Sequence, residues 1–116
     1  MAIRPSATWR DEVSQNADAA ELYTPVMLEA TDAALAAFED EARSLGEASD
    51  ERILAAVERV VEQLNTIDGE HGAFCTIERE DLCEYIDQVV TAQGIDVSDL
   101  LARQDMEELT ERWRDW

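Results

Sequence analysis

The sequence predicts an all-α fold, a compact bundle of four to five helices. Three observations predict it: the apolar residues recur at helical spacing, most candidate helices have a recognisable start or stop residue, and no segment alternates as a half-buried strand does over more than a few positions. With 116 residues, of which 46% are hydrophobic and 32% charged, the chain is expected to fold as a single domain over residues 1–116.

Residues 1–23 carry the weakest pattern and are predicted to form a short helix or an arm packed on the bundle, with Thr8 as the candidate N-cap. Thr24, followed by Pro25, marks the start of the next helix, and Gly46 marks its end. The core face of this helix is predicted from residues at helical spacing: Met27, Leu28, Thr31, Leu35, Phe38, Ala42 and Leu45.

Ser49 is predicted to cap a strongly amphipathic helix that ends near residue 67. Two glycines then interrupt the pattern, so residues 68–72 are predicted to form a loop. The core face of the helix is predicted to comprise Ile53, Val57, Val60, Leu64 and Ile67.

Thr76 is predicted to cap the following helix, which Gly94 ends, and Asp96 is predicted to start another. The helix from residue 76 should bury Leu82, Ile86 and Val89. A final helix, whether or not it continues from the one at Asp96, is predicted to place Met106, Leu109, Trp113 and Trp116 on one face.

The charge is strongly negative, with 28 Asp and Glu against nine Arg, no Lys and a formal net charge of -19. Such a field repels nucleic-acid phosphates and anionic membranes, and it attracts basic proteins. We therefore expect a basic protein partner, with no direct binding of nucleic acid or membrane. GC-rich coding or adaptation to a salty cytoplasm would also produce an acidic chain without lysine.

A cytoplasmic location is expected, because no apolar stretch approaches the roughly 18 residues of a membrane span. The first residues, Met1 to Pro5, also lack the apolar run of a signal peptide. Cys75 and Cys83 are expected to be free thiols, since one pair of cysteines does not make a disulfide framework.

One cluster resembles a reactive or metal site, because it gathers the only histidine and both cysteines: Asp68, Glu70, His71, Cys75, Glu78, Glu80 and Cys83. Its spacing matches no zinc or calcium motif. The interpretation we favour is a solvated His71 in a loop and a Cys83 that packs as a small apolar residue beside Ile86 and Val90. We expect no metal, no cofactor, no catalytic residue and no enzymatic activity.

Two sets of residues are candidates for partner binding. Glu80, Glu84 and Asp87 fall on one outward strip at i, i+4 and i+7. Like charges at this spacing mildly destabilise a helix, and a cationic partner would relieve the repulsion between them. The alternative is an ordinary solvated face. Trp113 and Trp116 have the side chain typical of binding hot spots. The alternative for them is that they pack the end of the chain onto the bundle and bring its two ends together.

From about Phe38 onward the chain resembles small uncharacterised bacterial protein families, in the stretches 60–65, 78–86 and 113–116. The resemblance implies a helical bacterial protein and transfers no functional residue. In size, acidity and helical character the chain is also similar to immunity proteins that neutralise basic toxins. The leading hypothesis is therefore an immunity-like or adaptor-like binding module; the alternatives are a DNA-mimic inhibitor of a nucleic-acid-binding protein and a metal-binding or enzymatic protein centred on His71.

Overall fold

The computed structural model describes residues 3–72 and 74–116, and the fold in this part of the chain is all-α, as predicted. Met1 and Ala2, where the predicted domain begins, lie outside the described residues. In chain order the helices are α1 (Pro5–Gln15), α2 (Ala19–Leu22), α3 (Pro25–Ala42), α4 (Asp50–His71), α5 (Thr76–Ala92) and α6 (Val97–Arg103). None of these helices combines the length and the apolar character that crossing a membrane requires.

Three of the predicted N-caps are confirmed by side-chain hydrogen bonds. Thr24 Oγ1 accepts from the Met27 amide at 3.2 Å, and Ser49 Oγ accepts from the Arg52 amide at 3.3 Å. Asp96 Oδ1 accepts from the amide of Asp99 at 3.1 Å. Each bond satisfies an amide that the first turn of a helix leaves without a backbone partner, which is why a local sequence signal was enough to find these starts.

The two longest helices, α3 and α4, pack along each other, and α1 lies against α3 and α5. Arg59 of α4 pairs with Glu41 near the end of α3, so the two helices run antiparallel across a short connection. The core lies between these helices, and the predicted faces of α3, α4 and α5 are buried as expected. The largest fully buried side chains are Trp9, Met27, Leu35, Leu45, Leu64, Leu82, Ile86 and Leu100.

Helix α1 is held by polar contacts just before its start and near its middle. Arg4, just before the helix, donates to Glu39 from Nε at 2.6 Å and from Nη2 at 3.1 Å, and its Nη1 donates to Asp32 at 3.2 Å. Within the helix, the Nε1 of the buried Trp9 donates to Asp81 Oδ2 of α5 at 3.1 Å. The first helix is therefore an integral part of the bundle.

Several predicted boundaries are wrong. Helix α1 begins at Pro5 and not after Thr8, because proline at the first helical position needs no amide partner. Helix α3 ends at Ala42 rather than Gly46, and a tighter turn carries Leu45 into the core. Helix α5 is capped at Cys75 and not at Thr76, because Glu78 Oε1 accepts from the Cys75 amide at 3.1 Å.

The predicted loop over residues 68–72 is mostly helix, since α4 continues to His71. A helix tolerates one glycine at a cost of about 1 kcal/mol, so Gly69 does not end it. Gly72 does, with a φ of 61° in the left-handed region, where its amide donates to the Asp68 carbonyl.

The predicted last helix is also wrong, because residues 105–116, which we call the C-terminal segment, form successive turns. Asp105 has a φ of 54°, which interrupts the helix that precedes it. Glu111 then accepts the amide of Glu108 on its side chain at 2.7 Å in place of a helical carbonyl. Met106 and Leu109 are nevertheless buried, as the apolar spacing predicted.

Candidate partner-binding surface

The predicted strip lies on the outer face of α5. Glu80, Glu84 and Asp87 are all exposed. Glu84 accepts a hydrogen bond from Gln88 at 3.2 Å, and Asp87 accepts one from Thr91 at 3.3 Å. These donors are neutral, so the negative charge of the strip faces solvent without compensation.

Beside this strip, α5 and the C-terminal segment enclose a groove of about 440 Å³, which we call the acidic groove. Exposed carboxylates of α5 and of the C-terminal segment line it, and the buried Leu109 and half-buried Leu101 contribute apolar surface to it. Glu80 is not part of the groove. The lining residues are Cys83, Glu84, Asp87, Gln88, Leu101, Glu107, Glu108, Leu109 and Thr110.

The arginines are distributed in a way that leaves this region acidic. Within the described residues, Arg4, Arg43, Arg59 and Arg103 form their ion pairs with carboxylates outside the groove. Among the arginines in the described part of the chain, only Arg114 pairs with a groove carboxylate, that of Glu108 at 3.1 Å. The acidic groove therefore combines uncompensated negative charge with apolar surface, a pairing that suits the charged head and aliphatic stem of a basic side chain.

The far wall of the groove depends on Asn65 of α4. Its Nδ2 donates to the Trp113 carbonyl at 2.7 Å, and its Oδ1 accepts from the Asp115 amide at 3.0 Å. Both polar groups of one amide side chain thus hold the C-terminal segment against α4. This contact keeps the segment that carries Glu107 and Glu108 in place opposite α5.

Trp113 and Trp116 are half-buried and pack against the core. The Trp116 ring lies edge-on to Phe74 with centroids 5.7 Å apart, and Phe74 in turn lies 6.0 Å from the Trp9 ring. The Trp116 Nε1 is buried and has no hydrogen-bond partner among the described residues. This packing fits the interpretation in which the tryptophans bring the two ends of the chain together; their role as anchors for a partner stays a prediction.

The cluster around His71 is dispersed in the structure. His71 is half-buried at the end of α4 rather than solvated in a loop, and its Nε2 is 3.9 Å from Glu70 Oε2. Cys75 is exposed, whereas Cys83 lies in the acidic groove, where its Sγ is 3.5 Å from Thr110 Oγ1. The described residues contain no group of three or more His, Cys, Asp or Glu that could hold a metal ion.

The interpretation of Cys83 as a small apolar residue beside Ile86 and Val90 misses the polar contacts of its thiol. Besides the Thr110 contact, its Sγ accepts a hydrogen bond from Arg114 Nη1 at 3.0 Å. Glu107, Glu108 and Arg114 are the residues of this surface that sequence reasoning missed. They follow the end of α5 by 15 to 22 positions, which left no local signal, and the wrongly predicted last helix hid their arrangement.

Comparisons of the chain with protein-family models, with curated proteins and with solved structures find no match. The resemblance of residues 60–65, 78–86 and 113–116 to small bacterial families stays a prediction. The acidic groove and the strip on α5 are therefore interpreted from their own geometry and charge.

Proposed function

We propose that the protein is a binding module without enzymatic activity, whose acidic α5 face engages a basic partner protein in the manner of an immunity protein or an adaptor. One observation carries the proposal: exposed carboxylates on α5 and on the C-terminal segment line one groove together with apolar surface. The negative charge of this face would attract a basic partner over long range, and the groove would provide contact area in the complex.

The groove adds a feature that a merely solvated acidic face lacks. A surface kept acidic for solubility needs no concavity and no apolar floor, whereas binding sites commonly combine the two. The alternative in which the strip mimics the phosphates of DNA requires a partner that binds nucleic acid. In that case duplex DNA competes for the captured partner, and for an immunity-like or adaptor-like complex it does not.

The partner is first isolated by affinity capture from the native lysate, and its association rate is then measured at two salt concentrations. Changing Glu80, Glu84 and Asp87 together to Gln should slow association by about tenfold at low salt, since steering acts mainly on the encounter rate. The salt dependence should flatten, and the fold should stay intact. Loss of the like-charge repulsion along α5 should leave stability equal or slightly higher.

A matched control separates this face from the overall charge. Glu29, Glu47 and Glu62 are exposed and lie outside the groove, so their change to Gln alters the net charge by the same amount. The control variant should associate almost as fast as the unchanged protein. A neutral or acidic partner, or equal rates for the two triple variants, would contradict the proposal.

A further inference from the structure

Arg114 of the C-terminal segment does not line the acidic groove, but its guanidinium binds residues that do. Its Nη1 donates to three groove residues: Cys83 Sγ at 3.0 Å, Glu108 Oε2 at 3.1 Å and Thr110 Oγ1 at 3.1 Å. A carboxylate, a hydroxyl and a thiol thus converge on one nitrogen. The polar groups of these lining residues are therefore already bound to an arginine side chain of the same chain, and an arginine of a partner would compete with it for them.

Arg114 has fewer charged partners than the arginine that anchors α1. Arg4 binds Glu39 and Asp32 through all three of its side-chain nitrogens. Arg114 makes its hydrogen bonds to the groove residues through Nη1 alone, and among the described residues its one carboxylate partner is Glu108, whose side chain is 56% exposed. The Arg114 side chain itself is 21% exposed, and its guanidinium lies 5.6 Å from the centre of the Trp116 ring. An ion pair with a single, largely exposed carboxylate contributes little to stability, so Glu108 can bind another guanidinium in place of that of Arg114.

We propose that an arginine side chain of the partner binds in the acidic groove and displaces Arg114, which acts as a built-in competitor. This inference rests on the proposed function and names the chemistry of the group that the groove takes. Charge complementarity selects a cation, and Leu101 and Leu109 offer apolar surface to its stem. A planar guanidinium can contact carboxylates of α5 and of the C-terminal segment at once, which a lysine ammonium does less well.

Occupancy by Arg114 has a quantitative consequence. Partner arginine can bind these lining residues only in the fraction of molecules from which Arg114 has withdrawn, and the apparent affinity is lowered by that fraction. Removal of Arg114 should therefore strengthen binding of an arginine ligand. Removal of a nearby arginine that does not bind these residues should change only the long-range attraction.

The chain supplies that control in Arg112, which is exposed and donates to the Gln104 carbonyl at 2.7 Å instead of to the groove. A capped tetra-arginine peptide is titrated calorimetrically into the unchanged protein, into Arg114→Gln and into Arg112→Gln. Both variants lose one positive charge, so the difference between their affinities for the peptide measures the competition between Arg114 and the peptide arginine. We expect Arg114→Gln to bind the peptide at least about threefold more tightly than Arg112→Gln, and equal or weaker binding overturns the inference.

A second measurement uses the unchanged protein, so it remains valid even if the Arg114→Gln variant is less well folded. In isotope-labelled protein, a saturating amount of the tetra-arginine peptide should move the Arg114 Nε–H nuclear magnetic resonance signal to the position of an exposed arginine and leave the Arg4 signal in place. Peptide binding without this movement overturns the inference. A tetra-lysine peptide should bind more weakly, and equal binding overturns the preference for a guanidinium.

The two proposals fail separately. A tetra-arginine peptide that binds none of the three proteins overturns the arginine inference, while the role of Glu80, Glu84 and Asp87 is decided by the association rates of the captured partner. If the triple change in the strip slows association but the peptide binds Arg114→Gln and Arg112→Gln equally well, the acidic face binds a basic partner without displacing Arg114.

Discussion

The hydroxyl of Tyr23 donates a 2.8 Å hydrogen bond to Glu78 Oε2 across 55 positions of sequence, and both side chains are buried. The other oxygen of Glu78 accepts the Cys75 amide and so caps α5. Tyr23 also stacks on Trp9, with ring centroids 5.4 Å apart. Burial, followed by the contact with Glu78, raises the pKa of Tyr23 above its ordinary value. One carboxylate thus joins the start of α5 to the chain before α3.

Changing Tyr23 to Phe should lower the free energy of unfolding by about 1–3 kcal/mol, because a buried carboxylate loses one of its donors. Tyr85→Phe is the matched control. Tyr85 donates to Glu39, but Glu39 keeps its bonds from Arg4. Denaturant unfolding of both variants should show the larger loss for Tyr23→Phe, and the reverse order would contradict this account of Glu78.

The contribution of Glu39 to stability should depend on pH. Burial disfavours its charge, but the hydrogen bonds from Arg4 and Tyr85 outweigh burial and hold its pKa below the ordinary value. A lowered folded-state pKa stabilises the fold above the unfolded pKa of about 4.3, and this contribution is lost as the pH falls through the folded pKa. The difference in unfolding free energy between the unchanged protein and Glu39→Gln should therefore be largest near neutral pH and shrink in acid. A difference that stays constant down to acid unfolding would exclude this role.

Added salt should raise the melting temperature. A formal net charge of -19 on 116 residues is self-repulsive, and screening over about 10 Å at 0.1 M ionic strength weakens that repulsion. Melting curves at low and high sodium chloride test this, and the variant with Gln at residues 80, 84 and 87 should respond less strongly. A flat response in the unchanged protein would count against this prediction.

Replacement of Asn65 by Ala should loosen the C-terminal segment. The change removes two hydrogen bonds to the backbone at Trp113 and Asp115, each worth about 0.5–1.5 kcal/mol. Limited proteolysis should then cut the segment faster, and affinity for the basic partner should fall because one wall of the groove is displaced. Gln63→Ala, an exposed change on the same helix, should do neither. Equal cleavage in the two variants would mean that Asn65 does not hold the segment.

The helices could be predicted wherever a local feature determines them. The apolar faces of α3 and α4 and the caps at Thr24, Ser49 and Asp96 involve residues a few positions apart, so their spacing is visible in the sequence. The end of α4 was harder to predict, because the sequence does not distinguish Gly69 from Gly72. Of these two glycines, only Gly72 adopts the left-handed conformation that ends the helix. Whether a glycine ends a helix depends on how the residues after it pack against the rest of the protein.

The candidate site could be predicted only in part. The strip on α5 was visible because one helix determines its spacing, and Glu84 and Asp87 do line a groove. The opposite wall depends on Asn65 binding the backbone near Trp113, a contact across 48 positions that no periodicity indicates. The apolar spacing of Met106 and Leu109 fits a helix and a series of packed turns equally well, so it did not determine the backbone of the C-terminal segment.

The bond between Trp9 and Asp81 spans 72 positions and has a consequence for folding during synthesis. At about 5–20 residues per second, a ribosome makes Asp81 roughly 4–14 s after Trp9. During that interval the nascent α1 exposes an indole that has neither its hydrogen-bond acceptor nor the cover of α5. Cotranslational folding can therefore begin with the α3–α4 hairpin, whose partners are close in sequence. Helix α1 can contact α3 at that stage through Arg4, but the indole of Trp9 is covered by α5 only after residue 81 has been made, and a chaperone that recognises aromatic residues could bind it until then.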